Sequence, residues 1–123
     1  MGKSTIDAAM DAALDYIGLT NANQIHVCTS EPTNRTEAVT TFQLASGTVV
    51  GGDFTKANGD TSGRKHTVAA KAGLTIDNSG TALHVAITSA SELLDVTTCT
   101  SQALTSGGTV DIPAWDHEIG DPS

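Results

Sequence analysis

Large rings are what this chain has least of: Tyr16, Phe42, Phe54 and Trp115 are its only Tyr, Phe and Trp residues, 3% of 123. That excludes an aromatic-rich core. The interior must be assembled from Val, Ile, Leu and Ala, and each fully buried Leu or Ile contributes only about 1.5–3 kcal/mol. So small an aliphatic core has little excess stability, and a second subunit or a larger surface to sit on is expected to help. Cations are the next shortage. Lys3, Arg35, Lys56, Arg64, Lys65 and Lys71 stand against 14 acidic residues, for a formal charge of −8, which does not suit a surface that tracks phosphates. Nor is there an apolar run of the roughly 20 residues that cross a bilayer. No signal-peptide core follows Lys3, which predicts a chain made and kept in the cytosol unless something larger carries it out. Cysteine is limited to Cys28 and Cys99, a count that fits free thiols better than a disulfide scaffold.

What is there, from Gly52 onward, is a succession of short segments rich in Thr, Val, Ala and Ser, split by Gly-rich turns. Ahead of them one helix is predicted over residues 4–17. Ser4 is placed to cap it with Asp7 three positions on, and Gly18 to end it. Ile6, Ala9, Met10, Ala13, Leu14 and Ile17 make an apolar stripe, with Asp11 and Asp15 on the opposite face. A helix this short is marginal alone, so it is expected to cover one side of its own β domain. From Gln24 the period changes to two. Ile25 and Val27 alternate with His26 and Cys28, and Glu31-Pro32-Thr33-Asn34 breaks the pattern as a turn. Val39 to Leu44 reads as a weaker strand, and residues 45–63 as a long loop or a ragged edge strand around Val49-Val50. Strands are then predicted at Lys65 to Ala70, Leu74 to Asp77, Ala82 to Ser89, Leu93 to Thr98, Thr109 to Ile112 and Trp115 to Ile119. Asp77-Asn78-Ser79-Gly80 and Ser106-Gly107-Gly108 read as hairpin turns, because their residues tolerate positive φ. Strands at this spacing without helices between them predict a mainly β fold. The expected architecture is an antiparallel β-sandwich or barrel, jelly-roll-like, with one N-terminal amphipathic α-helix, in a single domain 1–123 whose β part covers about 24–120.

Residues able to do chemistry are few. Met1-Gly2-Lys3-Ser4-Thr5 ends like a phosphate-binding loop but lacks the upstream glycine and strand of its cradle, so Ser4 reads as a helix cap. His26, His66, His84 and His117 lack the close paired spacing of zinc ligands and read as hydrogen-bonded structure, with His26 and His84 the pair to examine if their strands are neighbours. Asp53, Asn58, Asp60 and Ser62 offer oxygen ligands on Gly-rich ground but miss the EF-hand spacing, and Asx turns explain them. Glu92 with Asp95, and Asp116 with Glu118, have the residue types of a hydrolytic pair but are expected to face water. The Arg64-Lys65 doublet reads as a wet strand end. Trp115 divides between core filler and an anchor for a sugar or a subunit. No catalytic, cofactor-binding or metal-binding residue is assigned, no cofactor is expected, and the reading is a packing or binding module, not an enzyme.

Several words of the chain carry a resemblance. They are the amphipathic N-terminal helix, the strand Ile25-His26-Val27-Cys28-Thr29-Ser30-Glu31-Pro32, the turn Gly59-Asp60-Thr61-Ser62-Gly63-Arg64-Lys65, the segment Gly80-Thr81-Ala82-Leu83-His84-Val85-Ala86, and the ending Ile112-Pro113-Ala114-Trp115 with Asp121-Pro122. Together, over nearly the entire chain, they resemble small uncharacterised virion structural proteins of tailed bacteriophages, of the kind encoded among head, neck and tail assembly genes. The resemblance implies a capsid decoration or other head-associated protein, located in the virion after assembly in the host cytoplasm. It implies a homo-oligomer whose partners are other virion proteins, the major capsid protein or neck and tail proteins, with no nucleic acid and no membrane. A collar or tail position is the near alternative. A carbohydrate-binding module of a tail fibre or host-recognition protein is the reading from a different class, and a glycan or peptidoglycan hydrolase comes third. No catalytic residue is carried over.

Overall fold

The computed structural model describes residues 6–120. The chain runs through α1 (Asp7–Asp15), a π-helical continuation Tyr16–Asn21, β1 (Gln24–Cys28), a π-helical turn Glu37–Thr41, β2 (Gln43–Thr48) and a 3-10 turn Gly51–Asp53. Seven strands follow: β3 (Phe54–Asn58), β4 (Arg64–Val68), β5 (Lys71–Thr75), β6 (Gly80–Thr88), β7 (Leu93–Leu104), β8 (Thr109–Ile112) and β9 (Trp115–Ile119). Every pairing is antiparallel. The expectation of a mainly β, sandwich-like fold behind one N-terminal helix holds, and the sheets do not close into a barrel.

The alternation Ile25-His26-Val27-Cys28 that announced β1 has a specific use here. β1 and β6 sit at the centre of a four-stranded sheet ordered β2-β1-β6-β7, and β1 and the second half of β6, Val85 to Thr88, are buried on both faces. Ile25, Val27, Val85 and Ile87 point inward to the main core, where they meet Val68, Ile76, Val110 and Ile112. Cys28 and Ala86 lie on the other face, covered by Ala38 with Phe42, Leu93 and Val96 at the margin. One isolated bridge, Ala45 to Ile76, joins β2 to the two-stranded β5-β8 sheet. Six strands thereby curl around the core in the order β7-β6-β1-β2-β5-β8, and the third sheet, β3-β4-β9, packs Val68, Phe54 and Trp115 against it.

The Ser4 cap lies outside the described residues; Ile6 occupies the N-cap position of α1 without a side-chain cap. Elsewhere sequence and structure part company at several places. Gly18 does not end the helical run. It is buried within the π-helical stretch because a Cβ there would stand 2.6 Å from Cγ of Phe54, so glycine is needed for close approach, not for termination. Val39 to Thr41 are helical rather than extended. Asn34 Oδ1 accepts the Glu37 N–H while Glu37 Oε1 accepts the Thr33 N–H, a capping arrangement that outweighs the strand preference of Val39-Thr40-Thr41. Residues 45–63 contain the rest of β2 and the edge strand β3, not a long loop. Neither expected hairpin turn makes a hairpin, because β5 pairs with β8 and β6 with β7. Instead the two turns cross between sheets and lock to each other: Ser79 Oγ accepts the Ser106 N–H, the Ser106 hydroxyl donates to the Asp77 carbonyl, and Gly107 supplies φ 92.

α1 covers its own β domain, as expected, but over a narrower stripe. Only Met10 and Leu14 are buried, and Ile6 is 74% exposed. Asp11 and Asp15, expected on the solvent face, flank the contact and pair with Arg64 and Lys56 at 2.8 Å each. Arg64-Lys65 is therefore no wet strand end: Arg64 ties down α1, and Lys65 reaches Asp60 and Asp116 on the other face of β4.

Alanine in place of glycine ordinarily stabilises a helical position by about 0.5–1 kcal/mol. At residue 18 the sign is expected to reverse. Gly18→Ala should cost about 1–3 kcal/mol in urea unfolding through overpacking against Phe54, and the penalty should shrink in a Phe54→Leu background.

Candidate binding seam

The curl of strands stops short of closure between β7 and β8. There the chain forms a groove of about 410 Å3 with an apolar floor from Val27, Val85 and Trp115, and a rim carrying Thr97, Thr100 and Gln102. Trp115 sits half-buried on β9, packed against the main core and lining the groove at once, so core filling and contact surface are two faces of one side chain. Its indole N–H is buried and has no hydrogen-bond partner among the described residues. Cys99 lines the same groove from β7. Both cysteines are free. Cys28 is on β1, two ladder steps of about 4.8 Å from β7, and faces the opposite side of the sheet, beyond the ~7 Å Cα separation that a disulfide tolerates. Burial pushes the Cys28 thiol up to about 12, which leaves it protonated and inert.

The histidines were singled out in the sequence, and the structure sorts them differently from the expected pairing. His26 and His84 are on adjacent strands and share the outer face, opposite Ala86 and Cys28 respectively. They do not form a site. His26 is fully buried, with Nδ1 2.7 Å from Gln43 Oε1 and Nε2 2.9 Å from Thr88 Oγ1, so one imidazole stitches β2, β1 and β6 together. A different pair meets ring to ring: His66 and His117, directly opposite on β4 and β9, have their ring centroids 5.7 Å apart. Phe54 lies 5.0 Å from the His66 ring on its other side. Asp95 from the inner face of β7 approaches His117 Nδ1 at 3.2 Å, off hydrogen-bond alignment, and its side chain is 7% exposed. This contact joins the four-stranded sheet to the β3-β4-β9 sheet.

The remaining candidates have structural partners. Asp53 accepts from Val50 N and Lys71, Asn58 accepts from Arg64, and Asp60 accepts from Lys65, so the proposed oxygen ligands do not converge. Glu92 accepts a hydrogen bond from the Tyr16 hydroxyl, whereas Asp95 is turned inward, correcting its expected place in water. Asp116 accepts from Thr67 and Lys65, and Glu118 from the Thr61 N–H, on the outer face of their sheet. Among the described residues no group of three or more His, Cys, Asp or Glu is arranged to hold a metal ion, and no helix is long and apolar enough to cross a membrane. The groove was missed by sequence reading, although Trp115 and the Thr-rich strand that form it were both noticed.

These observations define an antiparallel, sandwich-like β protein with one open seam and a helix docked on a side sheet. No family model, curated protein or solved structure shows significant similarity to the chain.

The buried imidazoles make stability pH-dependent. Desolvation lowers the pKa of His26, against a smaller opposing effect of Gln43, and also lowers that of His66, where His117 adds to the effect. The unfolded chain therefore takes up these protons first, and stability is lost as pH falls from about 6.5 towards the depressed folded-state values. His117 acts in the opposite sense, because contact with Asp95 raises its pKa. Its contribution is full below about 6.5 and fades as pH rises through the folded value. His26 and His66 therefore work for a loss of stability as pH falls through this range and His117 for a gain, and substitution at each position separates the shares. His26→Leu is expected to cost about 1–3 kcal/mol at pH 7.5 by orphaning Gln43 and Thr88, and in urea titrations that cost should shrink as pH falls below about 6.5, where the wild type loses the His26 contribution.

Proposed function

We propose that this chain is a non-enzymatic structural protein of a tailed-bacteriophage virion, a capsid decoration or head-associated protein. In this reading it is oligomeric, is assembled in the host cytoplasm, and is held on the particle by contacts with other virion proteins. The observation that carries the reading is the open seam: an apolar groove bordered by an unpaired strand edge on a small aliphatic domain. Such a domain gains by mass action when its unfinished surface is buried in a repeated assembly. A second exposed apolar feature supports it, since Leu19 is 60% and Val50 65% exposed at the end of the helical run, where Leu19 adjoins the Gly51 turn. A collar or tail position belongs to the same reading and differs in copy number.

One observation favours a second reading, a carbohydrate-binding module. Trp115 lines a groove whose rim carries the hydroxyls of Thr97 and Thr100 and the amide of Gln102, groups suited to a sugar face and its hydroxyls. Quantitative mass spectrometry of intact particles tests the proposal. A copy number comparable with that of the major capsid protein is expected, a few copies would move the chain to the neck or tail, and its absence would reject the virion role. Glycan binding that disappears in Trp115→Ala would turn the assignment to the second reading.

A further inference from the structure

The geometry points to the seam as a strand-acceptor site: an extended segment of another polypeptide, uncharged and carrying small apolar side chains at every second position, adds to the outer edge of β7 and fills the gap toward β8. This rests on the assembly reading above and gives it a surface and a partner chemistry.

The edges of the sheets differ in how they are guarded. Natural edge strands are blunted by charge, proline, bulges or cover, since an unguarded edge pairs with whatever strand it meets. β3 carries Lys56, β9 carries Asp116 and Glu118, and β8 carries Asp111 and runs into Pro113. β5 has Lys71, a register shift and Gly73 at φ 68, and β2 is bridged to β5. β7 is guarded by irregularity alone. Its ladder with β6 shifts register between Thr98 and Gln102 and again between Leu93 and Asp95, but its pairing is with β6 alone, and from Val96 to Leu104 it contains no Lys, Arg, Asp, Glu, Pro or Gly. Its one acid, Asp95, is turned inward to His117.

The space beside that edge is not closed by the chain itself. β7 and β8 share no ladder, and their Cα atoms stay beyond 8 Å over nearly all their length, too far to pair, while both strands line the groove between them. Side chains of an added strand that point inward enter the groove over Val85, Cys99 and Trp115, which selects small aliphatic groups.

Buried area decides against a second copy as the occupant. Edge-to-edge pairing of two β7 strands over about 30 Å of length and a layer about 10 Å thick covers on the order of 300 Å2 per partner, about half of what a stable interface of ~1,200 Å2 in total requires. A threaded segment is covered by β7, β8 and the groove floor together. Charge agrees: on a chain of formal charge −8 the stretch Val96 to Leu104 is neutral and the one charged residue lining the groove is Asp111, exposed on β8, so a strand with a neutral centre and basic flanks meets attraction.

The test titrates the full chain with a capped peptide of sequence Lys-Val-Thr-Val-Thr-Val-Lys. Saturable binding with a Kd below about 1 mM is expected, with fast-exchanging amides between Val96 and Leu104 slowed about 10-fold or more and Cys99 alkylation slowed alongside them. Thr97→Lys, which puts a charge into the groove, should weaken binding at least ~10-fold, while Thr55→Lys on β3 should leave it unchanged. Gln102→Lys replaces Thr97→Lys if that variant loses its cooperative thermal transition. Absence of saturable binding, or protection mapping elsewhere than β7 and β8, overturns the proposal. So does protection of the same β7 amides by concentration-dependent self-association without peptide, which would make a second copy the occupant. Failure of the peptide with many copies still in particles sinks the seam alone; binding without copies in particles sinks the virion reading alone.

Discussion

Burial of β1 and the second half of β6 on both faces is the constraint from which the other elements take their places. Their inner faces carry Ile25, Val27, Val85 and Ile87, all at 3% exposure or less. At about 1.5–3 kcal/mol per side chain, these four alone match in scale the 5–15 kcal/mol net stability of a typical domain. Their outer faces carry Cys28, Ala86 and the fully buried His26, and something must cover them. The chain between β1 and β2 does so. Although the two strands pair, a long connection with its own capped helical turn separates them, and that turn places Ala38 over Cys28. Arg35 secures the cover by donating from Nε to the Ser89 carbonyl beyond the end of β6. A polar residue under such a cover is tolerable only when satisfied, and His26 is satisfied by the strands on either side, which fixes the register of all three.

The docking of α1 follows a different balance. Met10 and Leu14 supply the burial, at 3% and 0% exposure. The ion pairs that flank them, Asp11 with Arg64 and Asp15 with Lys56, are each partly open to solvent and belong to a class worth about 0–1 kcal/mol. Apolar contact therefore holds the helix while charge sets its azimuth. Asp11 and Asp15 each follow a buried residue by one position, a rotation of about 100°, so they border the contact instead of opposing it. The broader stripe read from the sequence placed Ile6 and Ala9 in that contact, but they remain exposed.

Where burial alternates locally, the sequence was legible. β8 and β9 begin and end where their alternation does, and the fold class followed from strand spacing with no helices between. The errors fall where a distant contact or a cap overrides local preference. Gly18 looked like a terminator because nothing nearby shows that Phe54, thirty-six residues on, presses its ring there. Val39-Thr40-Thr41 looked extended because β-branched residues do, yet Asn34 and Glu37 already held a cap signature in plain view. The turns at Asp77–Gly80 and Ser106–Gly108 had the right residues for tight reversal, but turn chemistry does not reveal which sheet the next strand joins. The seam was least legible of all. It exists because two strands fail to pair, and a missing pairing leaves no residue pattern of its own.

An unclosed curl has a physical cost that composition explains. With four Phe, Tyr and Trp residues in the entire chain, no bulky ring plugs the gap between β7 and β8 except Trp115, which reaches it from β9 and leaves the groove beside it. An aliphatic domain of this size can complete its core by adding rings, by adding strands of its own, or by leaving an edge for another chain to complete. The first is absent from the sequence, and the second would require the other edge of β8 to pair with β7, whereas the two strands share no ladder and the chain departs through Pro113 to build β9. The third remains, and the neutrality of Val96 to Leu104 on an otherwise acidic molecule is what that route requires, because a charge on the acceptor edge would have to be desolvated with every contact made.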